Sequence, residues 1–229
     1  MKMRWFWAAT LVCAAGLSGA DLTFGTVQTG KGKPAPLVWE ERGAGLWHVM
    51  RDGTLTGARE VTQTGPKKKF IPEQRAFNDW MNQQAWVYTK AEYGDCDLEF
   101  EYWLRAEGNS GIALWDTSRG EGGIGASPDY KKTPSKVAYE IQLNNVYPDP
   151  NPSGSIYGIQ KATVGAQKDN EWNTIRLEAR AGHLKVFING TLVAEHDTLP
   201  DRPKKGPIGL QLHDQFSVMM MRNLKLTGR

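Results

Sequence analysis

The feature that most constrains this chain is the strict two-residue alternation of its apolar positions. In "CDLEFEYWLRA" (96–106), Leu98, Phe100, Tyr102 and Leu104 fall on one face, and Asp97, Glu99, Glu101 and Trp103 on the other. A period of two is the signature of a half-buried strand, whereas a helix needs apolar residues three and four apart. No helical period follows residue 21, and 25 Gly and 12 Pro interrupt any run long enough to sustain one.

Further short runs obey the same rule: "AWVYTK" (85–90), "SGIALWD" (110–116), "VAYEIQLNN" (137–145), "WNTIRLEAR" (172–180), "IGLQLH" (208–213) and "SVMMMRNLKLT" (217–227). Asn189-Gly190 joins "HLKVFING" to "TLVAEHD" as a tight hairpin. Ala181-Gly182 and Asp52-Gly53 mark two more. Regular short strands separated by such turns predict an all-β fold, an antiparallel sandwich or jelly roll. The segments 117–136 and 146–158 are too long for idle hairpin connections and are candidate functional loops.

The first twenty residues read differently. Lys2 and Arg4 precede an apolar stretch from Trp5 to Leu17, and Ser18-Gly19-Ala20 supplies small residues. This is the pattern of a secretory signal peptide cleaved after Ala20, leaving one domain over 21–229 in the periplasm or outside the cell. The apolar stretch is too short to span a membrane. Loss of Lys2 and Arg4 takes the formal charge from +3 to +1, which gives no footing for nucleic acid or an anionic membrane. The run "PKKKF" (66–70) reads as a solvated loop. Cys96 is left without a partner, so no intramolecular disulfide forms, and it reads as a small hydrophobe.

Several segments resemble, in order, the DUF1080 family, known as the 3-keto-disaccharide hydrolase domain. They are "AWVYTKAEYGDCDLEFEYWLRAEGNSGIALW", "YEIQLNN", "GSIYG", "EWNTIRLEARAGHLKVFINGTLV" and "KGPIGLQLHDQFSVMMMRNLKL". The resemblance implies a concanavalin-like β-sandwich and action on glycosides whose sugar carries a ketone at C3. Two positions depart from the family pattern: Trp115 stands near an expected Arg, and Asn144 stands where the family has Asp.

A C3 ketone acidifies the C2 proton, so the implied reaction needs a base near C2 and donors or a cation at the C3 oxygen. It also needs an acid or water at the leaving oxygen. Glu140, Gln142 and Asn144 share one strand face, and Gly209, Gln211 and His213 share another. If the two strands line one surface, either Glu140 or His213 is the base, and the sequence does not rank them. Asn109, Gln142, Asn144 and Gln211 would position sugar hydroxyls, Tyr157 would cover the ring, and Arg222 would pair with Glu140 or polarise the ketone. Each has a plainer reading: a solvated strand carboxylate, a loop-end His, a turn Asn in "EGNSG", an Arg paired with a surface acid. A carbohydrate-binding module or a structural domain on the same sandwich remain the alternatives. The sequence points to no certain cofactor. The oxygen-rich loops "SPDY" and "YPDPNP" leave room for a calcium ion.

Overall fold

The computed structural model describes residues 21–59, 83–105, 107–125, 128–145, 149–214 and 217–228. The leader and the 66–70 run lie outside the described residues. Thirteen strands make up the described fold. The first five are β1 (Leu22–Thr29), β2 (Ala35–Arg42), β3 (Gly45–Val49), β4 (Leu55–Arg59) and β5 (Ala85–Thr89). Then come β6 (Cys96–Leu104), β7 (Asn109–Leu114), β8 (Tyr139–Asn144) and β9 (Asn173–Arg180). The last are β10 (His183–Ile188), β11 (Thr191–Asp197), β12 (Ile208–Leu212) and β13 (Val218–Gly228). Among the described residues the helical structure is one 3₁₀ turn at Glu121–Gly123 and one α turn, α1, at Pro134–Val137.

Hydrogen bonding runs unbroken through β11-β10-β9-β6-β13-β1-β2-β5-β12-β7-β8, with the β3–β4 hairpin attached to β13. The path curls on itself. Side chains from its first half (Leu98, Phe100, Leu177, Val186, Met221) join those from its second (Val87, Ile112, Ile141, Leu210) in one buried cluster. The result is a two-layer β-sandwich whose core is the alternating apolar set of each strand. Ser110 ties the layers, its Oγ donating to the Gln211 carbonyl at 2.6 Å while lying 3.0 Å from Met219 Sδ.

The hairpins obey their sequence. Ala181 and Gly182 have φ of +49° and +78°, and Asn189 and Gly190 have +51° and +80°. Positive φ at both central residues is the turn whose twist matches the flanking strands. Asn189 also bonds outward, its Oδ1 accepting from Thr174 N at 2.9 Å and its Nδ2 donating to the Ala166 carbonyl at 2.8 Å.

Two strands, β1 and its partner β2, do not announce themselves. In β1, "LTFGTVQT", Gly25 at φ +74° forms a bulge that shifts the register against β2 between Thr23 and Thr26. A side chain there would stand 2.8 Å from the Leu224 carbonyl. The bulge breaks the period of two and hides the strand. β1 also runs parallel to β13, pairing Thr26 with Lys225 and Thr29 with Gly228, the one departure from the expected antiparallel order among the described pairs.

Candidate functional site

Four neighbouring strands, β5, β12, β7 and β8, turn their second face away from the core. In β7–β8 pairing, Gly111 lies opposite Gln142 and Ala113 opposite Glu140. In β12, Gly209 pairs with Ala113 on one side and Tyr88 on the other. This face therefore carries Trp86 and Tyr88, then Gly209 and Gln211, then Asn109 and Gly111, then Glu140, Gln142 and Asn144. In an ordinary half-wet sheet these would be exposed. Here every one of them is buried, because the long connections cross over them.

The first connection seals the aromatic end. Asp116 accepts from the Tyr88 hydroxyl at 2.5 Å, from Ser118 N at 3.0 Å and from Gly120 N at 2.7 Å. Gly120 thereby presses on the Trp86 ring, which stacks on Tyr88 with centroids 5.4 Å apart. The second connection covers the open edge of β8. Tyr157 N donates to the Glu140 carbonyl and Gly154 N to the Gln142 carbonyl, both at 2.8 Å. An edge strand so covered is no longer a pairing hazard.

Between the two connections a cavity of about 230 Å³ remains. Its strand side is formed by Asn109, Glu140, Gln142 and His213, with Gln84 just ahead of β5. Its loop side is formed by Tyr130, Thr133, Ser135, Lys136 and Tyr157. Gln142 Nε2 donates to Asn109 Oδ1 at 3.0 Å, so the two amides are fixed relative to one another. The Tyr157 hydroxyl donates to Asp149 Oδ2 at 3.1 Å, which anchors the covering loop.

Glu140 is the electrostatic centre. Burial pushes its carboxyl above the ordinary range, and the charge of His213, the Gln211 amide and the Ser135 side chain and backbone draw it part of the way back. A carboxyl whose proton affinity is raised by burial is a stronger base than an exposed one when it is ionised. Gly111 makes room for it, since a Cβ at that position would lie 3.0 Å from Glu140 Oε1 and 3.2 Å from Gln211 Oε1. Gln211 is wholly buried, and neither atom of its amide has a well-formed hydrogen-bond partner. Facing Glu140 by Oε1 it accepts from the protonated acid; turned over, its Nε2 donates to the ionised one. The amide serves either protonation state.

The sequence-derived candidates thus divide. Glu140, His213, Asn109, Gln142 and Tyr157 line one cavity, with Gln211 behind Glu140. Asn144 does not line it: its Nδ2 donates to the Asn151 carbonyl at 3.1 Å and its main chain bonds Ser153 Oγ, which pins the loop that follows β8. The expected pairing of Arg222 with Glu140 does not occur. Arg222 lies on β13, in the other layer, where its Nε and Nη2 donate to Glu101 Oε2 at 2.9 and 2.6 Å and its guanidinium covers Trp172. Trp115 is a core residue, with Nε1 donating to the Gly94 carbonyl at 3.0 Å. Arg119 faces Glu40 and the Thr89 carbonyl rather than the cavity. Gln84, Tyr130, Thr133, Ser135 and Lys136 escaped the sequence reading. The loop residues among them lie in a segment without periodicity. Pro134 after Thr133, with Pro at the first helical position, was the available signal for the turn that carries Ser135 and Lys136.

The acidic turns weighed for calcium spend their oxygens locally. Asp149 Oδ1 accepts from Asn151 N and Nδ2 at 2.7 and 3.1 Å, and Asp129 Oδ1 accepts from Lys131 N at 3.1 Å. Among the described residues no three His, Cys, Asp or Glu side chains gather as a metal site.

Comparison with known proteins agrees with the fold and gives it a family. The model for the 3-keto-alpha-glucoside-1,2-lyase-like domain matches residues 28–227. The chain belongs to that family. Its architecture is similar to a provisionally named glycosyl hydrolase from Parabacteroides distasonis ATCC 8503 (22% identity, TM-score 0.55, covering 80% of this chain and 90% of that one). A second such protein from the same organism matches at 17% identity and TM-score 0.54, covering 80% and 83%. No curated protein matches the chain. No described helix is long and apolar enough to cross a membrane.

Proposed function

We propose that the protein is an exported enzyme that cleaves 3-keto-glycosides by elimination followed by addition of water. The observation that carries this reading is the composition of the cavity: Glu140 is the sole carboxylate among its described lining residues. Hydrolysis of an unoxidised glycoside calls for two carboxylates flanking the bond, about 5–10 Å apart. Elimination next to a ketone calls for one base, donors at the oxygen where charge develops, and help for the leaving group.

In this reading the Glu140 carboxylate takes the C2 proton. The C2–H electrons form the enolate, with charge on the C3 oxygen. The enolate then collapses, the C1–O bond breaks, and the leaving oxygen departs with that pair and takes up a proton. Water adds across the resulting C1=C2 bond to complete net hydrolysis. Lys136 and the Tyr130 hydroxyl are the donors within the cavity wall for the C3 oxygen, Tyr157 having its proton on Asp149, and His213 is the group suited to the leaving oxygen. Asn109 and Gln142, locked together, present amides to ring hydroxyls. The cavity is below the size range of drug-like pockets and suits a single sugar ring.

The test is release of sugar or aglycone from a 3-keto-glycoside, with the unoxidised parent as control. With the substrate deuterated at C2, the wild-type protein releases solvent deuterium and turns over more slowly than with hydrogen. Turnover of the unoxidised parent at an equal rate refutes the proposal. Sugar binding by calorimetry without turnover of any 3-keto substrate favours a carbohydrate-binding module instead.

A further inference from the structure

His213 and Asp214 are neighbours in sequence, and in a strand neighbours point to opposite faces. Here β12 ends at Leu212, and beyond it the two side chains meet, His213 Nδ1 lying 3.4 Å from Asp214 Oδ2. His213 is half-buried on the cavity wall, whereas the Asp214 side chain is only 5% exposed and lies behind it. An ionised carboxylate only accepts hydrogen bonds, so the contact requires the proton on Nδ1.

A carboxylate so deeply buried needs a compensating charge. Arg59, at the end of β4, supplies it: it is 7% exposed, and its charge is drawn towards Asp214 against the cost of its burial. Its Nε donates to the Ala44 carbonyl at 3.0 Å, while its buried Nη1 has no hydrogen-bond partner among the described residues. Asp214 is further fixed by Ser217, whose Oγ accepts from Asp214 N at 3.2 Å, lies 3.3 Å from Asp214 Oδ1 and donates to the Asn109 carbonyl at 2.6 Å.

We propose that Asp214 is a positioning residue for His213, fixing the ring's orientation with the Nδ1 proton on Asp214 Oδ2 and leaving Nε2 as the proton-exchanging atom. With Nδ1 held by Asp214, Nε2 is the atom that exchanges the proton: protonated, it gives that proton to the leaving oxygen, and the neutral ring so formed takes one back from the water that adds. This rests on the elimination reading of the cavity.

The test combines a spectroscopic readout with kinetics. In ¹⁵N-labelled wild-type protein at about pH 8, where an imidazole is neutral, the His213 ring is expected to carry its proton on Nδ1. Asp214→Asn places an amide donor against Nδ1 and moves the ring proton to Nε2. With a 3-keto-glycoside, kcat falls on the order of 100-fold with KM nearly unchanged, and Asp214→Glu recovers part of the loss. A wild-type ring protonated on Nε2 overturns the proposal even if Asp214→Asn does not fold. So does an Asp214→Asn protein that keeps both the Nδ1 proton and the wild-type kcat. Absence of turnover in the wild type refutes the elimination reading, and the ring spectrum then still decides whether Asp214 sets the tautomer.

Discussion

Gly111→Ala is the sharpest perturbation the site offers. The added methyl would stand 3.0 Å from Glu140 Oε1 and 3.2 Å from both Glu140 Cγ and Gln211 Oε1, with no backbone strain because Gly111 is an ordinary strand residue. Ordinary contact for such an added methyl begins at 3.4 Å, so the carboxyl must give by a few tenths of an ångström. It retreats towards the cavity, since the sheet lies behind it. Overpacking of this kind costs about 1–3 kcal/mol, which for a chain of this size lowers the unfolding midpoint by roughly 2–12 °C. Misplacing a reacting group by about an ångström costs on the order of 100-fold in rate, so a shift of a few tenths lowers kcat on a 3-keto-glycoside by about 4- to 10-fold. The assay is thermal unfolding beside single-turnover kinetics. Glu140→Asp shortens the arm and removes the clash, so the double variant is less impaired than the two single losses combined predict. A Gly111→Ala protein with wild-type rate and midpoint refutes the placement of Glu140. Strictly additive losses refute the claim that the methyl acts through its carboxyl.

Three further outcomes follow from the same geometry. Glu140→Gln abolishes elimination and changes the pH dependence of stability: because burial raises the folded-state affinity of Glu140 for its proton, the wild type loses stability as pH rises from the unfolded carboxylate value through the raised one. Urea midpoints of the two proteins should agree near about pH 3.5 and diverge in favour of Glu140→Gln by about pH 8; divergence of the opposite sign contradicts the burial argument. Burial pushes the Cys96 thiol up to about 12, so thiol reagents at about pH 8 should label it only as fast as the chain unfolds, and rapid labelling of native protein would place Cys96 elsewhere. Asn189→Ala removes the side-chain hydrogen bonds to Thr174 N, the Ala166 carbonyl and Asn173 Oδ1, and a residue tolerant of positive φ; it should destabilise by about 1–3 kcal/mol in urea titrations and leave kcat unchanged.

The sequence disclosed what is local and periodic. β6 is visible because four core and four outer residues alternate without interruption, and β9, β10 and β11 because Ala181-Gly182 and Asn189-Gly190 dictate their turns. β1 stayed hidden because its bulge at Gly25 is a response to Leu224, nearly two hundred residues away. The site shows the same division. Glu140, Gln142 and His213 were legible as polar residues opposite an oily row. Their neighbours Ser135 and Lys136 come from a loop whose path is set by contacts such as those of Asp116 with Tyr88, which leave no period to read. Arg222 and Asn144 misled for one reason: a residue's type shows that it bonds something, while the fold decides what. β13 gives Arg222 the acid directly opposite it, Glu101, and Asn144 meets the turn it must pin.

The placement of β13 has a consequence for synthesis. This strand is the last of the described strands in chain order, yet it sits mid-sheet, bonded to β6, β4 and β1. A chain emerging from the ribosome therefore holds two unfinished sheet edges until β13 is released, and the sheet cannot close on the core before then. Translation stopped short of residue 218 would yield no smaller stable domain, only a chain with an apolar face open to any strand that meets it.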